Sequence, residues 1–105
     1  MRTTIGRLAL AAASVLPAGA YAQPQQALYT ASLAATCANC HGTQGRSVDG
    51  SAVAPLAGMP SDYMVAQMKA FKSGARPATV MHQLSKGYSD AQIEQIAAYF
   101  AAQKK

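Results

Sequence analysis

Two cysteines and a histidine stand within five consecutive residues, Cys37-Ala38-Asn39-Cys40-His41. Thiols three positions apart on a helical turn lie on one face, so each can add to one vinyl group of the same porphyrin. The histidine that follows directly can offer an imidazole nitrogen to the iron. This C-x-x-C-H spacing is the attachment signal of c-type haem. It predicts thioether bonds at Cys37 and Cys40, with His41 as an axial ligand.

Three other uses of these thiols compete with haem attachment. A thioredoxin-like redox pair would follow a strand, but the residues from Gln26 to Thr36 are Ala-rich and helical in propensity. A zinc site needs four ligands, and the chain offers at most Cys37, Cys40, His41 and His82, in no familiar spacing. A disulfide would close a loop of only a few residues and stabilise little. Haem attachment is therefore the favoured interpretation.

The second axial position on the iron has five candidates: Met59, Met64, Met68, Met81 and His82. Met64 and Met68 fit the apolar stripe of a helix, where methionine commonly fills gaps in a core. Met59 follows His41 closely, in a segment rich in Pro and Gly. Met81 comes after a complete helix that can form one wall of a pocket, so the spacing favours it. His82 stays the alternative, because imidazole also binds iron.

The identity of this second ligand bears on the class of function. A His/Met pair closes both axial positions and raises the reduction potential relative to two histidines. A closed site passes single electrons and does not readily bind oxygen or a substrate. The sequence therefore favours electron transfer over a gas sensor, a peroxidase, or a thiol or zinc module without haem.

The local sequence patterns predict that the elements carrying these residues are helices. No segment alternates apolar and polar residues as a strand would, so the predicted fold class is all-α, with about four short helices around one covalent haem. The first helix is predicted from Gln26 to His41. From Gly42 to Pro60 the apolar residues have no regular spacing, so this stretch is predicted to be a loop. Such a long loop in a compact domain usually has a role, and here the expected role is to wrap the haem edge.

Three further helical segments follow that loop. Ser61 is a predicted N-cap for a helix from Asp62 to Ser73, and Gly74 is its predicted stop. Ala78 to Leu84 is expected to form one or two turns. The last helix opens on the capping box of Ser89 to Gln92 and runs to about Gln103. The predicted apolar faces are Met64, Met68 and Phe71 in one helix, and Ile93, Ile96, Ala97 and Phe100 in the last.

Length and the first residues limit the domain organisation. A chain of 105 residues allows one small domain and excludes large enzyme folds. Residues 1–22 are typical of a signal peptide, with Arg2 and Arg7, an apolar run from Leu8 to Leu16, and the small-x-small site Ala20-Tyr21-Ala22. The run is too short for a membrane span. We therefore expect a periplasmic protein whose single haem domain is residues 23–105.

Composition is consistent with a domain that needs a cofactor. Outside the predicted leader, much of the apolar content is alanine, which gives little buried area. A domain of this size usually needs an additional source of stability, such as a bound haem. The formal net charge is +5, and the part outside the leader is too small to suggest nucleic acid or an anionic membrane as a partner. Four basic residues, Lys69, Lys72, Arg76 and Lys86, are either a docking patch at the haem edge or a solvated face.

The chain resembles the class I c-type cytochromes, and among them the cytochrome c4 and flavocytochrome c (sulfide dehydrogenase) haem-subunit group. The resemblance runs from about Leu28 to Gln103. Its motifs are Cys37 to Gly45, Leu56-Ala57-Gly58-Met59-Pro60, Tyr63 to Gly74, Met81 to Asp90, and Ala97-Ala98-Tyr99-Phe100. The Leu-Ala-Gly-Met-Pro form and Met81-His82-Gln83 are more similar to the flavocytochrome branch.

The resemblance implies an electron-transfer protein rather than an enzyme. It implies one haem c held by Cys37 and Cys40, with His41 and Met81 as the axial ligands. It also implies redox partners, either a FAD-containing sulfide dehydrogenase subunit or a terminal oxidase or reductase. The first and last helices are expected to cross, with Tyr99 or Phe100 against the Leu33 region.

One position departs from the family pattern. The family often has Pro two residues before the Leu of the Leu-Ala-Gly segment, and the carbonyl there receives the N–H of the axial imidazole. Here Ala54 holds that position, and Pro55 directly precedes Leu56. Such a bond fixes the tautomer of the ligand histidine. The sequence leaves open which carbonyl orients His41.

Overall fold

The computed structural model describes Gly19 and residues 22–105. The predicted signal peptide, residues 1–22, lies outside this part except for Gly19 and Ala22. The described helices are α1 (Ala22–Ala35), α2 (Ala38–His41), α3 (Ser61–Ser73), α4 (Met81–Lys86) and α5 (Asp90–Ala101), with a 3-10 turn at Thr43–Gly45. No strand occurs among these residues, and the predicted all-α class is confirmed. None of these helices is long and apolar enough to cross a membrane.

The hydrophobic core lies where α5 meets α1 and α3, and α4 packs against α3. Its buried side chains are Ala34, Met64, Met68, Ile93, Ile96, Ala97 and Phe100. The α3 and α5 members are those that the helical period predicted, except that Phe71 is only half-buried. Leu33 and Tyr99 both border this core, in agreement with the expected packing of the first helix on the last.

The first helix is not continuous to His41, and that part of the prediction is wrong. It ends at Ala35, a turn at Thr36 and Cys37 follows, and α2 then begins. The Thr36 hydroxyl donates to the carbonyl of Leu33 at 2.9 Å, and the Cys37 N–H donates to the carbonyl of Ala34 at 3.1 Å. A threonine hydroxyl that bonds a nearby carbonyl competes with the helical ladder, and this is the local reason for the break.

The start of α3 differs from the prediction, whereas its end agrees. Ser61 is the first helical residue rather than the N-cap, and Pro60 stands at the cap position. The Pro60 carbonyl accepts the Met64 N–H at 3.0 Å, so the helix begins without a side-chain cap. Gly74 ends the helix in the left-handed conformation, with φ of 83°.

The two C-terminal helices follow the expected order with shifted bounds. The short segment begins later than predicted, at Met81, and the last helix ends at Ala101 rather than near Gln103. The capping box is present as predicted. The Gln92 N–H donates to Ser89 Oγ at 3.2 Å, and the Ser89 N–H donates to Gln92 Oε1 at 2.9 Å.

The long loop from Gly42 to Pro60 is pinned to the core by backbone hydrogen bonds. The Gly45 carbonyl accepts the N–H groups of Leu56 at 2.8 Å and Ala57 at 3.1 Å. Gly45 itself is buried with φ of 76°. A Cβ there would lie 2.8 Å from the Phe100 ring and 2.8 Å from the Ala57 nitrogen. The loop therefore passes too close to α5 for any side chain at this point.

We predict that Gly45→Ala lowers the free energy of unfolding by roughly 2–5 kcal/mol, because it adds overpacking to left-handed strain. Gly50→Ala is the matched control, since Gly50 has φ of 79° but no atom within 4 Å of its Cβ position. That variant should lose about 1–2 kcal/mol. Denaturant titration of the two variants measures both values. Equal losses would contradict the close approach at Gly45.

Candidate haem site

The two thiols and the imidazole lie on the turn and short helix that follow α1. Cys37 belongs to the turn and is half-buried against the core, whereas Cys40 in α2 is exposed. They do not form a disulfide. Burial raises the pKa of the Cys37 thiol, and a hydrogen bond with the Thr36 side chain opposes that rise. Cys37 is therefore held mainly as the neutral thiol in the free polypeptide.

The imidazole of His41 is oriented by the backbone of the long loop. Its Nδ1 lies 2.6 Å from the carbonyl oxygen of Ala54. Because a carbonyl only accepts hydrogen bonds, Nδ1 carries the proton and Nε2 is left with its lone pair. The question left open by the sequence is thus answered: the Ala54 carbonyl takes the role that the family usually gives to a proline. An imidazole held in this way is prepared to ligate a metal through Nε2.

The five candidates for the second ligand occupy different environments. Met64 and Met68 are buried in α3, and Met68 Sδ receives the Ser85 hydroxyl at 3.6 Å, which agrees with a packing role. Met59 is half-buried in the loop and, like Met81, packs against the core. Met81 is the first residue of α4 and borders the same core as Cys37.

His82, the alternative ligand, is half-buried beside Met81. Its Nδ1 is buried and has no hydrogen-bond partner within the described part of the chain. This nitrogen is therefore not engaged in a hydrogen bond among the described residues. For this reason His82 stays a chemically available alternative that an experiment must separate from Met81.

The donor set of this region fits a covalently attached haem. It comprises two thiols outside any disulfide, an imidazole with a free Nε2, and a thioether sulfur at the edge of the core. The zinc alternative has no matching geometry. No group of three or more His, Cys, Asp or Glu side chains within Gly19 and residues 22–105 is arranged to hold a metal ion.

Most of the four basic residues considered as a docking patch are engaged within the protein. Lys72 Nζ donates to the Tyr88 carbonyl at 2.7 Å and to Asp90 Oδ1 at 3.0 Å. Lys69 lies 3.7 Å from Asp90 and 3.9 Å from Glu94. The guanidinium of Arg76 lies 4.6 Å from the centre of the Phe71 ring.

Arg76 and Lys86 are the exposed members of the set without an ion pair in the described residues, although Arg76 also hydrogen-bonds to Gln67. The face formed by α3 and α5 carries both signs of charge, because Asp90 and Glu94 stand among the lysines. Its field on an approaching partner is correspondingly weaker than four free cations would produce. The structure favours the solvated-face interpretation over a docking patch.

Two side chains near the site were missed by sequence reasoning, Thr36 and Tyr88. The Thr36 Oγ1 and Tyr88 OH lie 2.6 Å apart, although they are far apart in sequence. No periodicity or motif connects them. Only the packing of α1 on α5 reveals the contact.

Comparison with known proteins gives the family context. The family model described as Cytochrome c matches residues 25–104. The chain is 40% identical over 68 residues to the cytochrome subunit of sulfide dehydrogenase from Chlorobaculum tepidum, a match that covers 65% of this chain and 60% of that protein.

Two further relatives differ in how much of their length is matched. Cytochrome c4 of Pseudomonas aeruginosa is 41% identical over 75 residues, covering 68% of this chain but 35% of the relative. Cytochrome c-554(548) of Halomonas halodenitrificans is 37% identical over 76 residues, covering 66% of this chain and 86% of the relative. The match therefore spans less than two thirds of the sulfide dehydrogenase subunit and of cytochrome c4.

The Asp90 carboxylate gives a pH-dependent contribution to stability. The hydrogen bond from Lys72 lowers its pKa below the ordinary value of 3.8, and the charges of Lys72 and Lys69 act in the same direction. A carboxyl whose folded pKa is depressed stabilises the protein above its unfolded pKa. That stabilisation is lost as the pH falls through the folded value.

We predict that Asp90→Asn lowers the free energy of unfolding by a small amount at pH 7, because the ion pairs are exposed. The difference in unfolding free energy between this variant and the unmodified protein should shrink as the pH falls below 4. It should vanish where the carboxyl is protonated in both the folded and the unfolded state. Denaturant titrations across that range provide the measurement. Asp49→Asn is the control, since Asp49 is exposed and forms no ion pair among the described residues. A pH-independent effect of Asp90→Asn would refute the assignment.

Proposed function

The chain belongs to the cytochrome c family, whose members are electron carriers with one covalent haem c, and we propose that it carries single electrons through a haem ligated by His41 and Met81. The observation that carries this proposal is the 2.6 Å contact from His41 Nδ1 to the Ala54 carbonyl. It presents Nε2 to a metal directly beside two thiols at the attachment spacing.

Each residue of the proposed site has a separate task. Cys37 and Cys40 attach the haem, which supplies reversible one-electron chemistry when bound. His41 would ligate the iron, with its tautomer set by Ala54. Met81 would supply the second ligand, and a thioether favours the reduced state relative to a second imidazole. Cys37 and Met81 both border the apolar core, which is consistent with a haem held against it.

The domain assignment and location belong to the same proposal. We assign residues 23–105 as one monohaem domain, supported by the family match to residues 25–104. Residues 1–22 act as an export signal on the grounds of their charged start, apolar run and cleavage site. Export to the periplasm would place the polypeptide where haem c proteins acquire and use their cofactor.

The proposed partner is a FAD-containing sulfide dehydrogenase subunit, from which the haem accepts electrons taken from sulfide. The similarity to a sulfide dehydrogenase cytochrome subunit supports this partner. The second candidate is a freely diffusing carrier to a terminal oxidase or reductase. It is supported by the similarity to cytochrome c-554(548), most of whose length the chain matches.

We predict that Met81→Ala opens an axial position, whereas His82→Ala does not. In Met81→Ala the ferric protein should bind added imidazole far more tightly and the reduction potential should fall, because the thioether no longer competes. Optical titration with imidazole and potentiometry measure both effects. The reverse pattern, with His82→Ala opening the site, would assign the second ligand to His82.

The partner is tested by gentle purification from the native periplasm, followed by one optical spectrum of the eluted complex. We expect haem and flavin in nearly equal amounts, and reduction of the haem when sulfide is added. Haem alone, in a particle of this chain's own size, would reject the flavoprotein partner and support the free carrier. A spectrum without haem would reject both.

A further inference from the structure

We propose that the hydrogen bond between Thr36 and Tyr88 is a clasp that joins the two ligand-bearing segments and keeps Met81 in place. Thr36 directly precedes the attachment motif, and Tyr88 follows α4, whose first residue is Met81. The inference rests on the proposed ligation by Met81. It adds two positioning residues, Thr36 and Tyr88. Neither is a proposed haem-attachment residue or iron ligand, and Thr36 acts through its neighbour Cys37.

The polarity of the clasp follows from the number of available protons. The Thr36 hydroxyl has one proton, which it donates to the Leu33 carbonyl at 2.9 Å. Tyr88 must then donate to Thr36 Oγ1 across their 2.6 Å contact. On the Thr36 side the chain continues into Cys37, whose carbonyl accepts the His41 N–H at 2.9 Å. The clasp therefore acts on the turn from which the attachment helix starts.

On the other side, Tyr88 belongs to the anchored end of α4. Its N–H donates to the Ser85 carbonyl at 3.3 Å, and its own carbonyl accepts Lys72 Nζ at 2.7 Å. Ser85 is fully buried and donates to Met68 Sδ at 3.6 Å. The C-terminal end of α4 is thus bonded to α3 twice and to the end of α1 once.

The N-terminal end of α4 carries Met81, which packs against the core, but this end has no side-chain hydrogen bond of the kind found at the other end. Val80 stands at the cap position and provides no side-chain cap. Val80 is 53% exposed, and Leu84, one turn further along, is 50% exposed. A helix of six residues moves as a unit. Besides the packing of Met81 on the core, the position of α4 depends on the hydrogen bonds at its opposite end, and the clasp is the one that ties that end to the haem-attachment side.

Loss of the clasp should make Met81 easier to displace without removing it. A single neutral hydrogen bond of this kind corresponds to a change of about 2- to 10-fold in an equilibrium constant. In Tyr88→Phe the affinity of the ferric protein for imidazole should rise by that factor. Thr36→Val should do the same, and Thr36→Ser should restore the original affinity because it keeps the hydroxyl.

The matched control is Tyr29→Phe. The Tyr29 hydroxyl accepts a hydrogen bond from Gln92 Nε2 at 2.9 Å, so it also connects α1 to α5. It does not belong to a segment that carries a predicted ligand. Tyr29→Phe should cost a similar amount of unfolding free energy but leave the imidazole affinity unchanged. If Tyr88 had a purely structural role, Tyr88→Phe would lower the unfolding free energy without changing the imidazole affinity.

The experiment uses the mature holoprotein, with imidazole affinity from optical titration and stability from denaturant unfolding on the same samples. The clasp is supported if Tyr88→Phe and Thr36→Val tighten imidazole binding and Tyr29→Phe does not. It is overturned if Tyr88→Phe and Tyr29→Phe behave alike. Met81→Ala separates this failure from failure of the proposed function: if that variant binds imidazole no better, the ligand assignment itself is wrong and the clasp falls with it.

Discussion

The hydrogen bond from His41 to the carbonyl of Ala54 is the constraint on which the rest of the site depends. It requires a particular carbonyl to be delivered to a histidine thirteen residues earlier in the chain. Hydrogen bonds on both sides of Ala54 hold the loop in the position that this contact requires. Ser47 Oγ donates to the Val53 carbonyl at 2.9 Å on one side of Ala54, and Gly45 receives the Leu56 N–H at 2.8 Å on the other. The absence of a side chain at Gly45 lets this loop reach the core.

The break between α1 and α2 is the second structural condition of the site. A continuous helix would carry Cys37, Cys40 and His41 on the axis of α1. The turn at Thr36 and Cys37 instead lets α2 take its own direction, while Cys37 stays against the core that also borders Met81. Cys37 and Met81 are therefore related through one small core rather than through one helix.

The charges of Lys69 and Lys72 are used in contacts within the protein. Lys69 and Lys72 on α3 meet Asp90 on α5, and Lys72 also holds the Tyr88 carbonyl at the end of α4. Three helices are joined at this one point.

The sequence by itself determined the all-helical class, the apolar faces of α3 and α5, the Gly74 stop and the Ser89–Gln92 capping box, because each follows from residues within about one or two turns of one another. It also pointed to Cys37, Cys40, His41 and Met81, through the attachment spacing and the family resemblance. Only the tertiary structure decided which carbonyl orients His41, how the lysines pair, and that Thr36 meets Tyr88. Those contacts join residues far apart in the chain. Their partners are chosen by how the helices pack, which no local pattern encodes.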